Sequence, residues 1–76
     1  MKVVLATIDG WDGTTKIGVF SDRDKALSAC SGYLWDSEGK MVGEVEFEFE
    51  GSISYSIEGS DEIVTLLTIE VDKPLN

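Results

Sequence analysis

The chain has no histidine, one cysteine and one proline, and only 6 lysines and arginines stand against 15 aspartates and glutamates. Each shortage excludes something. Without histidine, the most common general base and metal ligand are missing. A lone thiol, Cys30, forms no internal disulfide, which fits a reducing compartment. The net charge of -9 and the isoelectric point near 4.1 set the chain against phosphates and anionic headgroups. Direct binding to nucleic acid or to a membrane is therefore disfavoured. No long apolar run is present. In the opening MKVVLATIDG the hydrophobic stretch is interrupted at Thr7 and Asp9, too early for a membrane span and without a signal-peptide pattern. The expectation is a soluble, cytoplasmic protein.

The apolar fraction is 42% of 76 residues, enough for one core and one domain near the lower size limit. Residues 2–8 are rich in β-branched side chains and read as a strand. Residues 9–13, with two glycines, read as a five-residue loop, and residues 14–20 as the returning strand. That loop length would pair Leu5 with Ile17 and Val3 with Val19 and send all four to the core.

Ser21 has the chemistry of a helix N-cap, and Asp22 and Asp24 fall in the first turn, where the helix dipole favours negative charge. Ala26, Leu27, Ala29 and Cys30 make an apolar stripe, and Gly32 is a candidate C-terminal stop. The expected helix is about ten residues long. Tyr33, Leu34 and Trp35 would then begin a short strand, with residues 36–40 as a turn around Gly39.

Residues 44–58 read EVEFEFEGSISYSIE. Alternation places Val45, Phe47 and Phe49 on one face and Glu44, Glu46, Glu48 and Glu50 on the other. A three-residue loop at residues 50–52 would set Phe49 against Ile53 and Phe47 against Tyr55, with the glutamates opposite Ser54 and Ser56. In the last element, residues 62–72, Ile63, Leu67, Ile69 and Val71 are expected in the core. Val64 and Leu66 would be left as an apolar spot on the polar face. Pro74 ends ordered pairing, and a frayed tail is expected at residues 73–76 of a single domain, 1–76. The fold class is α+β: ββα, then three or four strands, in an antiparallel sheet with one helix packed on one face.

The run Ile17-Gly18-Val19-Phe20-Ser21, followed by Lys25-Ala26, resembles the G-V-F-S-x-x-x-K-A phrase of small phage and bacterial proteins in which a strand passes into a helix. The resemblance covers residues 1–30. It implies a small α+β accessory protein of phage or mobile-element type, and carries no activity with it.

Catalysis is disfavoured on inventory. Cys30 lies on the expected core stripe, where a thiol is a small hydrophobe. Gly10, Gly13 and Gly18 belong to a hairpin and form no phosphate loop. Asp9 and Asp12 are explained by turn chemistry, so neither a metal nor a cofactor is expected. Of the two tryptophans, Trp35 is expected to pack near the core. Trp11, at a glycine-bracketed loop tip, is a candidate binding anchor.

The glutamate face has three uses. It keeps an edge-prone sheet soluble. Its carboxylates, repeating every ~6.8 Å on a regular strand, could dock on a basic partner. It could also flank a self-association site centred on Val64 and Leu66. The expectation is therefore a small acidic, non-enzymatic binding protein that modulates or inhibits a protein partner with a basic surface, such as a nucleic-acid-handling protein. Its binding residues would be Glu44, Glu46, Glu48, Glu50, Trp11, Val64 and Leu66. The alternative is a homo-oligomeric structural or assembly protein.

Overall fold

The computed structural model describes residues 1–71; the expected frayed tail lies outside the described residues. Strands β1 (Lys2–Gly10) and β2 (Gly13–Phe20) precede helix α1 (Arg23–Glu38), and β3 (Val42–Phe49), β4 (Ser52–Ile57) and β5 (Ile63–Glu70) follow. All pairings are antiparallel, in the order β2-β1-β5-β4-β3. The α+β class and the single antiparallel sheet are as expected from the sequence. The helix lies mainly over β1 and β2.

The helix is longer than its glycine suggested. Gly32 does not stop it, and residues 33–35 continue the helix instead of forming a strand. The reason is packing. Ala26, Cys30 and Leu34 recur every four residues and are all fully buried, so the core stripe carries the helix past Gly32. The true end is Gly39, left-handed at φ 67°, whose N–H donates to Trp35 O while Lys40 N donates to Leu34 O. Asp22, not Ser21, is the N-cap: its carboxylate accepts from Lys25 N at 2.9 Å. Ser21 instead accepts from the Lys25 ammonium at 3.2 Å. Trp35, expected near the core, is 62% exposed.

The faces of β1 and β5 are the reverse of the expectation. Val4, Ala6 and Ile8 of β1, with Val64 and Leu66 of β5, turn toward the helix and are buried. Leu5 pairs with Val19 instead of Ile17, and Leu67 and Ile69 lie on the uncovered side. The first turn holds only Trp11 and Asp12 between the paired Gly10 and Gly13, and a bulge at Ala6/Thr7 makes Ile17 the extra residue of β2. The shorter turn and the bulge each move the pairing by one position, so together they return Val19 to the face of Leu5; the inward face is the one α1 covers, Val4, Ala6 and Ile8.

Strand β3 departs most from plain alternation. It pairs with β4 through two irregularities, between Val42 and Val45 and between Val45 and Phe47. The closing turn is two residues, Glu50 and Gly51, both at positive φ, instead of the expected three. Phe49 therefore opposes Ser52 and Phe47 opposes Ser54, while Glu48 opposes Ile53. The two phenylalanines thus share the uncovered face with the serines, not the core face with Ile53, Tyr55 and Ile57. At the first bulge, Glu44 N donates to the Ser56 hydroxyl at 3.1 Å. Gly43 has no room for a side chain there, because a Cβ would collide with that hydroxyl.

Candidate protein-docking surfaces

Three exposed regions are candidates: the glutamates of β3, the end of the molecule around Trp11, and the uncovered face of the sheet.

The three glutamates of β3 and Glu50 of the turn after it are all exposed, but they do not form a level row. Glu44 sits at the first bulge and Glu46 between the paired Val45 and Phe47 of the second. Glu48 is on the helix side, 3.8 Å from the Arg23 guanidinium in a solvent-exposed pair, and Glu50 occupies the turn at φ 32°. The bulges break the even spacing that alternation implied. They also twist an edge strand away from further pairing, the protective arrangement expected of a charged sheet edge.

At the other end, the β1–β2 turn, the end of α1 and the β4–β5 turn surround an open cleft of about 540 Å³. Trp11, 89% exposed, stands at its wall. Asp12, Glu38, Asp61 and Glu62 line it, and Lys40 is the one cation among the lining residues. Lys40 is bound to Glu38 at 3.2 Å. Ser60 organises this rim: its hydroxyl donates to Glu62 Oε1 at 3.2 Å and accepts from Glu62 N at 3.1 Å. Asp36 and Glu38 end the helix, and its last turn has no basic residue. Carboxylates next to the negative end of a helix dipole are unfavourable by a few tenths of a kcal/mol each, so this end keeps negative charge against local stability.

The uncovered sheet face carries Val3, Leu5, Val19, Leu67 and Ile69 together with Phe47 and Phe49, whose ring centroids lie 6.4 Å apart. One edge of this face is polar and internally satisfied. Asp9 accepts from Thr14 Oγ1 at 2.6 Å and from Thr65 Oγ1 at 3.2 Å, and the Thr65 and Ser54 hydroxyls share a hydrogen bond at 3.5 Å. Asp9 is thereby a structural acceptor, but inside β1 and toward β2 and β5 rather than in the turn expected for it, which holds only Trp11 and Asp12.

Of the binding residues expected from the sequence, Trp11 and the four glutamates are on the surface: Trp11 in the β1–β2 turn, Glu50 in the β3–β4 turn, and Glu44, Glu46 and Glu48 along the edge strand. Val64 and Leu66 are fully buried in the core, so no exposed apolar spot exists there. The apolar surface belongs to their neighbours Leu67 and Ile69 and to Phe47 and Phe49. Sequence reasoning missed these because both faces of β1 and β5 are apolar and either could have been the core. It also missed the carboxylate-lined cleft, which joins two turns and a helix end far apart in the chain.

Burial pushes the Cys30 thiol up to about 11, which leaves it neutral and poorly nucleophilic. Among the described residues, no group of three or more His, Cys, Asp and Glu gathers as a metal site, and no helix is long and apolar enough to cross a membrane. No protein-family model, curated protein or solved structure matches the chain.

Proposed function

We propose that this chain is a non-enzymatic binding module that docks its acidic end on a protein partner carrying a basic surface, and so modulates or inhibits it. The observation that carries the proposal is Trp11, 89% exposed beside a cleft lined by Asp12, Glu38, Asp61 and Glu62. A lysine or arginine side chain entering that cleft would meet carboxylates on its rim and an indole face beside it. Cation–π contact adds ~0.5–1 kcal/mol at an exposed site and more when water is excluded. The net charge of -9 would speed encounter with a basic target. A surface that otherwise handles nucleic acid has the matching charge. The resemblance of residues 1–30 to small phage and bacterial proteins supports an accessory role of this kind.

An oligoarginine peptide is a direct probe. Trp11→Ala and the pair Asp61→Asn, Glu62→Gln should each weaken binding, and added salt should weaken it further. Changing Glu44, Glu46, Glu48 and Glu50 together to glutamine should have a smaller effect. Affinity that tracks only net charge, with the quadruple variant the weakest and Trp11→Ala unchanged, would refute docking at the cleft.

A further inference from the structure

We infer that the uncovered face of the sheet is the contact surface for a second copy of this chain, forming a face-to-face dimer. The inference is independent of the acidic cleft and uses different residues.

The face is continuous across every strand. Val19, Leu5, Leu67, Ser52 and Phe49 stand in one row, each paired with the next, from edge strand β2 to edge strand β3. Val3 and Ile69 pair in the next row on the same face, and Phe47 lies on the same face as Phe49. Phe47 and Phe49 are 58% and 61% exposed, Val19 is 61% exposed, and Leu67 and Ile69 are 39% and 37% exposed. A five-stranded sheet with one helix leaves one face unpacked, and the usual covers for such a face are a helix layer or another sheet.

Charge selects the occupant. The chain carries -9, yet the ionisable side chains at paired positions on this face are Asp9, satisfied by two threonine hydroxyls, and Lys16, which pairs with Thr7. These cancel. A basic partner would find no carboxylate row to answer, whereas an identical face approaches with no like charges in contact. Size agrees as well. Five strands at a spacing of ~4.8 Å, each ~8 residues long at ~3.3 Å per residue, project to ~600 Å². Side-chain relief raises the accessible area above the projected area, toward the ~800 Å² per partner of a standard stable interface.

The packing is self-complementary. A two-fold axis lying between the sheets along the middle strand, β5, sets Leu67 near its own copy. It lays β1 over the partner's β4 and β2 over the partner's β3, so Leu5 meets the small Ser52 and Val19 meets Phe49. The usual inter-sheet rotation of about 30° keeps these neighbours in reach.

Salt separates this interface from the acidic cleft by sign. Two chains of -9 repel, so screening should strengthen the dimer, whereas it should weaken docking of a basic peptide. Sedimentation velocity over a wide concentration range should show the mass rising from 8.3 kDa to twice that value, at lower concentration in high salt. Leu67→Lys and Phe49→Lys should each return the mass to that of the single chain with the far-UV spectrum unchanged, although each substitution reduces the net repulsion. Trp11→Ala should leave the dimer intact. Hydroxyl-radical footprinting of the unmodified chain needs no variant to fold: Phe47 and Phe49 should become protected as concentration rises, while Trp11 and Trp35 should not. A single-chain mass at every concentration and salt level overturns the inference. So does a dimer indifferent to both lysine substitutions, or one in which Trp35 is protected and the phenylalanines stay reactive.

Discussion

Exchanging Gly32 for alanine should stabilise the protein, and exchanging Gly39 should destabilise it. Gly32 lies inside α1, exposed, and a methyl group added to its Cα would have no neighbour within 4 Å. Interior glycine is worse than alanine in a helix by ~0.5–1 kcal/mol, through the backbone freedom it loses on folding. Gly39 sits at φ 67°, ψ 29°. An L-residue in that conformation incurs ~1–2 kcal/mol, partly offset by ~0.4–1 kcal/mol from a stiffer unfolded chain, for a net loss of ~1 kcal/mol. For a domain of this size 1 kcal/mol corresponds to ~4–8 °C in Tm. Gly32→Ala should therefore raise Tm by several degrees, Gly39→Ala should lower it by about as much, and the double variant should return close to wild type. Thermal melts at one protein concentration, backed by urea titration, are sufficient, because neither residue belongs to the sheet. If Gly32→Ala lowers Tm, Gly32 occupies a left-handed helix terminus, and the helical path through Leu34 to Glu38 is wrong.

Asp22→Ala should cost ~1 kcal/mol by removing the acceptor for Lys25 N, whereas Ser21→Ala should cost only a few tenths; urea midpoints in the reverse order would return the cap to Ser21. Cys30 should resist thiol reagents in native buffer and react at a rate that rises with urea, since the thiol is fully buried. With its folded pKa raised from 9.0 to about 11, its contribution to stability is complete below pH 9 and is lost as pH rises through that interval, where only the unfolded chain releases the proton. A wild-type alkaline loss no larger than that of Cys30→Ala would show that the thiol is not the group responsible.

The sequence made the α+β class legible, and every element type but that of residues 33–35, because turn residues and β-branched runs alternate clearly. It also fixed the face of β4, where isoleucines and serines alternate and only Ile53, Tyr55 and Ile57 are able to build a core. The faces of β1 and β5 were not legible. In VVLATI and IVTLLTI both parities are apolar, so the pattern states that the strands are central without stating which side is in. The side on which α1 packs decides the matter; turn length decides it for β3, and no residue type at 50–52 distinguishes a two-residue turn from a longer one. Bulges add a second source of error. At the helix, Gly32 outweighed a better signal, the four-residue spacing from Ala26 to Cys30 to Leu34. Of the docking surfaces, Trp11 was legible as a loop tip flanked by glycines. The carboxylates around it come from its own turn, the end of α1 and the β4–β5 turn, and only the assembled fold brings them together.

The middle strand of the sheet, β5, is the last element of the described chain, and its neighbour β1 is the first. During synthesis β1 can form its hairpin with β2 early, but its other edge, and the apolar side chains of Val4, Ala6 and Ile8, must wait for a partner more than fifty residues downstream. The hairpin of β3 and β4 cannot join it without β5 as the bridge. Folding is therefore a late, long-range closure, slow for a chain of this length, and a chain cut before Ile63 would hold two hairpins that do not pair with each other. The same arrangement brings the amino group of Met1 to within 3.1 Å of the Glu70 carboxylate, while Val71 N donates to Met1 O. A short peptide joining these two strands, with new ends opened at the exposed Gly59 turn, would place β5 and β1 next to each other in synthesis and turn the last step of folding into the first.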